Sequence, residues 1–244
     1  MPPNPAKIAL WWLFFTCAVG LVIAVLIWAI VSVVTRRRYA RTTYYQQTGV
    51  PYRKMVGDKG KYGEYLTGEK LQRLPGHHRT LFNLYLPRSD GTTTEVDLLF
   101  LHPSGIYVVE SKNYGGFVFG SESDRRWTAT LAGGRHKEHF FSPTRQNAGH
   151  ISALLNLLPQ INPNVLCSLI VFSERCELAK VPANTWSRII VKRNYLEQAL
   201  QPRLTTRLLS DDQIDWLFSW LYPQTQVDET VKTAHIARVS NLRG

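Results

Sequence analysis

Residues 92–113, TTTEVDLLFLHPSGIYVVESKN, decide the fold of this chain. Two runs of apolar and β-branched residues flank a Pro-Ser-Gly sequence at 103–105, which is typical of a tight turn. The pattern therefore predicts two neighbouring antiparallel strands, 92–102 and 106–112, joined in one hairpin.

Each strand of this predicted hairpin carries two charged side chains on the same face. Side chains two residues apart in a strand point the same way, so Glu110 lies with Lys112, and Glu95 lies with Asp97 on the neighbouring strand. Both strands are apolar near their centres, which predicts that the hairpin is covered on both sides. Burying Asp97, Glu110 and Lys112 is costly unless they pair with one another or hold a cation.

Two interpretations of these three residues stay open on the residues alone. They form either a structural ion-pair network at a strand end or a metal site. Carboxylates are the hard oxygen ligands that Mg²⁺ prefers, and such a metal acidifies a bound water and neutralises charge developing on phosphorus. A neighbouring lysine could orient or deprotonate that water, or pair with the phosphate. The second interpretation predicts hydrolysis of a phosphodiester.

The rest of the pattern predicts an α/β domain around this hairpin. Helical spacing predicts helices at 58–74, 143–158, 194–200 and 211–221, and alternating or continuous apolar runs predict strands at 79–87, 117–120, 166–172 and 188–191, with a second hairpin in 126–141. This order describes a mixed sheet flanked by helices.

Composition fits a folded domain with a basic surface. Hydrophobic residues make up 44% of the 244 residues and charged residues 19%, which excludes a disordered chain. The net charge of +11 is compatible with a polyanionic partner and equally with a merely basic surface. Three cysteines without a CxxC spacing argue against a disulfide scaffold and fit a reducing compartment.

The N-terminal segment predicts a membrane anchor. Residues 8–34 contain no charged residue, and about 27 helical residues span roughly 40 Å, more than the ~30 Å hydrocarbon core of a bilayer. The apolar run is too long for a cleaved signal peptide and is followed by no clear cleavage site. The arginine cluster Arg36, Arg37 and Arg38 predicts a cytoplasmic C-terminal domain and could also bind anionic lipid headgroups.

Five short sequence motifs occur in order along residues 60–158. They are GKYGE at 60–64, LYLP at 84–87 with EVD at 95–97, PSGIYVVESKN at 103–113 followed by Gly115-Gly116, Trp127, and PTRQN at 143–147 with His150. Together they resemble the NERD (nuclease-related) domain, a member of the PD-(D/E)XK nuclease superfamily. The resemblance implies a restriction-endonuclease-like mixed β-sheet flanked by helices.

The resemblance also implies a role for five residues. Asp97 and Glu110 would be the metal-binding carboxylates, with Mg²⁺ or Mn²⁺ as the metal, and Lys112 the catalytic lysine. Glu64 would be an accessory acid on the first helix of the domain. Gln146 would be a glutamine that faces the site from the later helix.

The residues alone leave other roles open at several of these positions. Glu64 is also compatible with an exposed helical acid, and Gln146 with a helix-start residue that bonds nearby backbone. His150 is expected as a hydrogen-bonded residue at the surface or at the rim of the site. Basic residues of the second hairpin could form a phosphate-binding edge or a solvated face; they are Arg125, Arg126, Arg135 and Lys137.

These observations predict five segments: a transmembrane signal anchor at 1–35, a basic juxtamembrane linker at 36–56, a nuclease-like core at 57–160, the C-terminal part of the α/β domain at 161–222 and a flexible tail at 223–244. We expect a single-pass protein of a bacterial inner membrane, with its C-terminal domain in the cytoplasm. Its expected activity is metal-dependent cleavage of DNA in DNA processing or defence. A non-catalytic nucleic-acid-binding or scaffold module is the main alternative, and a protein that binds only lipids is a third.

Overall fold

The computed structural model describes residues 5–131 and 134–243, which fall in two compact units, Met1–Gln46 and Gln47–Gly244. The first unit contains the long helix α1 (Pro5–Ala40) and the start of α2 (Thr43–Thr48). Among the described residues, one helix is long and apolar enough to cross a membrane, and it is this one, over Ala9–Ala40. The helix continues through the arginine cluster instead of ending before it.

The second unit contains two β-sheets and the remaining helices. The helices are α3 (Tyr52–Gly57), α4 (Lys59–Leu71), α5 (Pro143–Leu157), α6 (Leu196–Leu200), α7 (Asp211–Leu221) and α8 (Glu229–Arg243). The strands are β1 (Arg79–Pro87), β2 (Thr93–His102), β3 (Gly105–Lys112), β4 (Gly116–Phe119), β5 (Arg126–Leu131), β6 (His136–Phe141), β7 (Leu166–Phe172), β8 (Cys176–Lys180) and β9 (Arg188–Lys192). Short 3-10 turns lie at Pro163–Val165, Arg193–Tyr195, Gln201–Arg203 and Tyr222–Thr225.

The large sheet has the strand order β1-β2-β3-β7-β9. Strands β1, β2 and β3 pair antiparallel, whereas β7 pairs parallel to β3 and β9 parallel to β7. Strand β7 is buried along its whole length, as its continuous apolar sequence predicts for an inner parallel strand. The sheet is therefore mixed, with the predicted hairpin β2–β3 near its centre.

Helices cover both faces of the large sheet. On one face, α5 and α7 bury an apolar cluster against β1, β2 and β3 that includes Leu99 and Val108. On the other face, α4 approaches β1 closely at Gly68, where an added Cβ would lie 2.5 Å from the ring of Phe82. Because neighbouring strand residues such as Leu98 and Leu99 point to opposite faces, both sides of the hairpin are buried.

The turn between β2 and β3 requires glycine at position 105. Gly105 has a φ of 139°, in the region that favours glycine, and an added Cβ would lie 2.6 Å from the carbonyl oxygen of Val165. This close approach fixes the start of β3 beside β7, where Ile106 pairs with Leu166.

The small sheet has the strand order β6-β5-β4-β8, with β8 parallel to β4. Its inner side packs Val118, Trp127 and Phe140 against Phe172 at the end of β7, and the rings of Trp127 and Phe172 are parallel with centroids 6.2 Å apart. The chain thus leaves the large sheet after β3, forms β4, β5 and β6 of the small sheet, returns through α5 to β7, and then adds β8 to the small sheet.

The fold class is confirmed: the domain is α/β, with two mixed sheets flanked by helices and a long apolar helix at the N-terminus. Strand β8 was missed, because its short sequence CELAK is mostly exposed and lacks a long apolar run. The segment predicted as a linker contains α2 and most of α3, and the segment predicted as a tail contains α8. The five domain boundaries stay predictions.

Replacing Trp127 by Ala should destabilise the domain, because the side chain is fully buried between the two sheets. Loss of a buried tryptophan leaves a cavity and costs about 3–5 kcal/mol. Urea unfolding of the full-length chain in mild detergent, followed by circular dichroism, measures the change. Trp216→Ala is the matched control, since Trp216 is 48% exposed on α7 and its loss should change the unfolding free energy little. Equal effects of the two substitutions would contradict the packing of Trp127 between the sheets.

Candidate active site

The strands β2 and β3 separate at the two predicted carboxylates. Their ladder ends at the pair Leu98–Val109, so the next opposed positions are Asp97 and Glu110. There the backbone N–H of Ser111 donates to Asp97 Oδ2 over 2.9 Å, in place of a strand-to-strand hydrogen bond. Strand β3 continues along β7 as far as Lys112. The side chain of Asp97 therefore takes the place of the next bond of the β2–β3 ladder.

The Glu110 carboxylate is 1% exposed and is bonded at both oxygens. Lys112 Nζ lies 2.6 Å from Oε1, and His150 Nε2 lies 3.1 Å from Oε2. Burial alone would raise the pKa of Glu110, but the charge of Lys112 and the hydrogen bond from His150 outweigh it and lower the pKa below its usual value. Glu110 is therefore held as a buried anion.

Lys112 is held in place by partners on two elements. Burial would lower its pKa, but the carboxylates of Glu110 and Asp97 outweigh burial and raise the pKa above its usual value. Its Nζ also donates to Gln146 Oε1 over 3.1 Å. Lys112 is therefore a fixed cation that links β3 to α5.

Helix α5 presents two side chains to the site from one face. Gln146 and His150 are four residues apart, the spacing that aligns side chains on an α-helix. The helix is anchored behind them by Asn147, whose Nδ2 donates to Val108 O and to Ser168 Oγ, each over 2.8 Å. Pro143 occupies the first turn, where its missing N–H costs nothing.

The expectation that His150 lies at the surface or rim was wrong. Its side chain is 2% exposed, with Nδ1 2.9 Å from Thr94 Oγ1 and Nε2 on Glu110. The sequence carried a signal for this position, because His150 follows Gln146 by four residues on a helix already expected to face the site. Burial of the imidazole is stable because both ring nitrogens have partners.

Glu64 comes to the same region from α4, on the opposite side of the sheet from α5. Burial raises its pKa to about 7; Lys61 opposes the rise, and the carboxylates of Glu95, Asp58 and Glu110 add to it. The cap of this helix is Asp58, which accepts hydrogen bonds from two backbone N–H groups of the first turn.

Asp97 has a pKa well above its usual value. Burial is the main cause, followed by the charges of Glu110 and Glu64. The structure thus brings together all five residues predicted for the site: three carboxylates that repel one another, Lys112 and Gln146.

The donor set fits a hard divalent cation. In the described ranges, no group of three or more His, Cys, Asp or Glu side chains is arranged around one metal position. Mg²⁺ is commonly bound by only one or two carboxylates with waters and phosphate oxygens completing its octahedron, and Asp97 and Glu110 supply that number. The repulsion that raises the pKa of Asp97 is relieved when a cation lies between these carboxylates.

Three other residues of the loop after β3 and of the small sheet have structural roles. Trp127 is fully buried in the core. Asn113 accepts a hydrogen bond from Arg175 and donates to Lys59 O, which fixes the loop after β3. The ring of Tyr114 stacks on Phe140 with centroids 4.2 Å apart.

Comparison with known proteins relates the part of the chain that contains this site to one family. Residues 59–173 match the family model NERD, the nuclease-related domain. The matched part runs from the start of α4 to the end of β7, just under half of the chain, and it contains all five predicted site residues and His150.

A bacterial protein is similar to most of the chain. An uncharacterized protein of Bacillus anthracis is 29% identical over 184 residues, which cover 75% of this chain and 84% of the relative. No solved structure matches the chain.

Replacing Glu64 by Gln should change how stability depends on pH. The pKa of Glu64 rises from 4.5 to about 7 on folding, so the folded chain holds a proton that the unfolded chain releases between these values. The contribution of protonated Glu64 to the stability of the fold is complete below pH 4.5 and is lost as pH rises through 7.

The Glu64→Gln chain should therefore gain unfolding free energy relative to the original chain as pH rises from about 5 to 8. Urea unfolding in EDTA at several pH values measures the difference. Glu69→Gln, on the same helix, is the control for a general effect of removing a helical acid. Parallel pH profiles for the original chain and Glu64→Gln would contradict the burial of this carboxyl.

Proposed function

We propose that this protein is a membrane-anchored, divalent-metal-dependent nuclease that hydrolyses phosphodiester bonds of DNA. The observation that carries the proposal is the separation of β2 and β3 at Asp97 and Glu110, with Lys112 fixed beside them. Neither a sheet ladder nor a hydrophobic core needs a buried acid paired with a partly buried lysine at this point. The match of residues 59–173 to the nuclease-related family supports the same class of reaction.

Asp97 and Glu110 would hold the cation, which is Mg²⁺ or Mn²⁺ in this proposal. Such a cation, when bound, neutralises charge on a phosphate and lowers the pKa of a bound water. Glu110 would share with the metal the oxygen that now pairs with Lys112, and His150 would keep its other oxygen in place.

Lys112 would act through its charge. Its raised pKa keeps the ammonium group protonated at neutral pH, which suits donation to a phosphate oxygen that gains charge during attack. Gln146 positions this group through its side-chain oxygen, and Glu64 contributes an acid at the edge of the site.

Membrane attachment would be provided by α1. Its apolar length exceeds the hydrocarbon core of a bilayer, and the arginine cluster Arg36, Arg37 and Arg38 favours the cytoplasmic side for the domain on its C-terminal side. The domain would then meet DNA at the cytoplasmic surface of the membrane.

A second candidate function is binding of nucleic acid without cleavage. One observation favours it: both oxygens of Glu110 already have partners within the protein, so this carboxylate is compensated without a metal. Such a module would bind DNA with a steep salt dependence and leave it intact with every divalent metal.

Cleavage by the full-length chain in detergent tests the proposal. Plasmid, linear and single-stranded DNA are incubated with increasing Mg²⁺ or Mn²⁺. Asp97→Asn, Glu110→Gln and Lys112→Met should each lower the rate by roughly 100-fold or more, because each removes charge stabilisation at phosphorus. The fold of each variant is checked by circular dichroism.

Glu197→Gln is the matched control for loss of a carboxylate. Glu197 is half exposed and pairs with Lys70 over 3.6 Å, so its replacement should leave cleavage unchanged. Undiminished cleavage by Glu110→Gln would assign the activity to a contaminant. Absence of cleavage by the folded original chain with either metal would favour the binding module.

A further inference from the structure

The small sheet has a solvent-exposed side that carries three phenylalanine rings. Phe117 and Phe119 on β4 are 50% and 40% exposed, and Phe141 on β6 is 48% exposed. Their chain neighbours Val118 and Phe140 point the other way and are buried. We call the side that bears the three exposed rings the outer face.

The three rings lie on one surface because of the strand register. Phe119 is opposite Thr128 of β5, and Thr128 is opposite His139 of β6; one step along, Phe117 is opposite Thr130. Opposed residues of a sheet share a face, so Thr128, Thr130 and His139 lie on the same side of the sheet as the rings. Neighbouring strands are about 4.8 Å apart, and each ring is about half exposed on this side of the sheet.

Basic side chains lie among the rings. Arg126 is opposite Phe141, Lys137 continues the row of Phe117 across Thr130, and Lys180 of β8 is opposite Phe119. Each of these three cations is exposed.

The acid on this surface is already compensated. Glu177 is opposite Phe117, and its carboxylate bonds Lys192 Nζ over 2.7 Å. The outer face therefore combines exposed aromatic rings with net positive charge.

We infer that the outer face binds single-stranded nucleic acid, with bases stacked on the phenylalanine rings and phosphates contacted by Arg126, Lys137 and Lys180. Unpaired bases stack on exposed aromatic rings whatever their sequence, and basic side chains track the backbone between them. Bases within a duplex are stacked on one another and do not present their faces to such a surface. The positive charge therefore favours a polyanion, and the exposed rings favour a nucleic acid whose bases are unpaired.

The connections of the small sheet link the outer face to the proposed nuclease site. Lys112 is five residues before Phe117, and Phe141 is five residues before Gln146. Five residues span at most about 18 Å, so both ends of the face lie within a few nucleotides of the site. This binding surface rests on the proposed function, which supplies nucleic acid as the substrate. It adds that the outer face holds the nucleic acid as a single strand.

Equilibrium binding without metal tests this surface separately from cleavage. The full-length chain in nanodiscs of zwitterionic phosphatidylcholine is titrated, in EDTA, against a labelled oligothymidine of about 20 nucleotides. Phe119→Ala and Phe141→Ala should each weaken binding by roughly tenfold, as expected for loss of one stacked base. Phe119→Trp should retain or increase affinity, because it keeps an aromatic face.

Trp216→Ala is the control for loss of an exposed ring elsewhere, since Trp216 is as exposed as Phe141. It should leave oligothymidine binding unchanged, and the phenylalanine variants should change binding of a duplex of equal length by less than about twofold. The substituted rings are exposed, so circular dichroism should show an unchanged fold.

Oligothymidine binding that is unaffected by both Phe119→Ala and Phe141→Ala would overturn the inference, even if the chain cleaves DNA with metal. The converse result is that those variants bind oligothymidine more weakly while neither they nor the original chain cleaves DNA with metal. That result would support the binding surface and contradict the nuclease proposal. A third arm measures binding to anionic phosphatidylglycerol vesicles. If the variants lose vesicle binding and keep oligothymidine binding, the outer face is a membrane-docking surface and the inference is wrong.

Discussion

The buried carboxylate of Glu110 is the constraint on which the rest of the site depends. A carboxylate that is 1% exposed is stable as an anion only with partners at both oxygens, and Lys112 and His150 supply them. Those partners require α5 to pack against β3 with one face toward the sheet, which Asn147 secures through Val108 O. Removing any one of these contacts leaves a buried polar group without compensation. The site and the packing of α5 therefore form one structural unit.

The same arrangement places a lysine where a metal is expected to bind. Lys112 lies on Glu110, while Asp97 keeps a raised pKa because burial and neighbouring acids outweigh its hydrogen bond from Ser111. The excess of negative charge is thus only partly neutralised by the protein itself. In the proposed nuclease, Asp97 and Glu110 would hold a cation that neutralises this excess, and that cation would share Glu110 with Lys112. Metal affinity would then depend on how tightly Lys112 is held.

Much of this site could be predicted from the sequence because it is encoded locally. Alternation in β2 and β3 fixes which side chains share a face, and the Pro-Ser-Gly turn fixes the pairing, so Asp97 and Glu110 had to be neighbours. The roles of Glu64 and Gln146 were not visible in local pattern and came from the resemblance, because each lies on a helix whose position depends on tertiary packing. His150 was misjudged for the same reason: helix periodicity gives its direction, but its depth depends on how closely α5 approaches β3. Strand β8 depends on parallel pairing with a distant strand and leaves little pattern of its own.

The short connections of the small sheet have a mechanical consequence. Residues 113–115 join Lys112 to β4, and Ser142 alone joins β6 to α5, so the sheet is tethered at both ends to elements of the site. Each connection is short, so the small sheet is joined closely to Lys112 at one end and to the first turn of α5 at the other. A ligand that shifted this sheet would therefore also shift the lysine relative to Gln146.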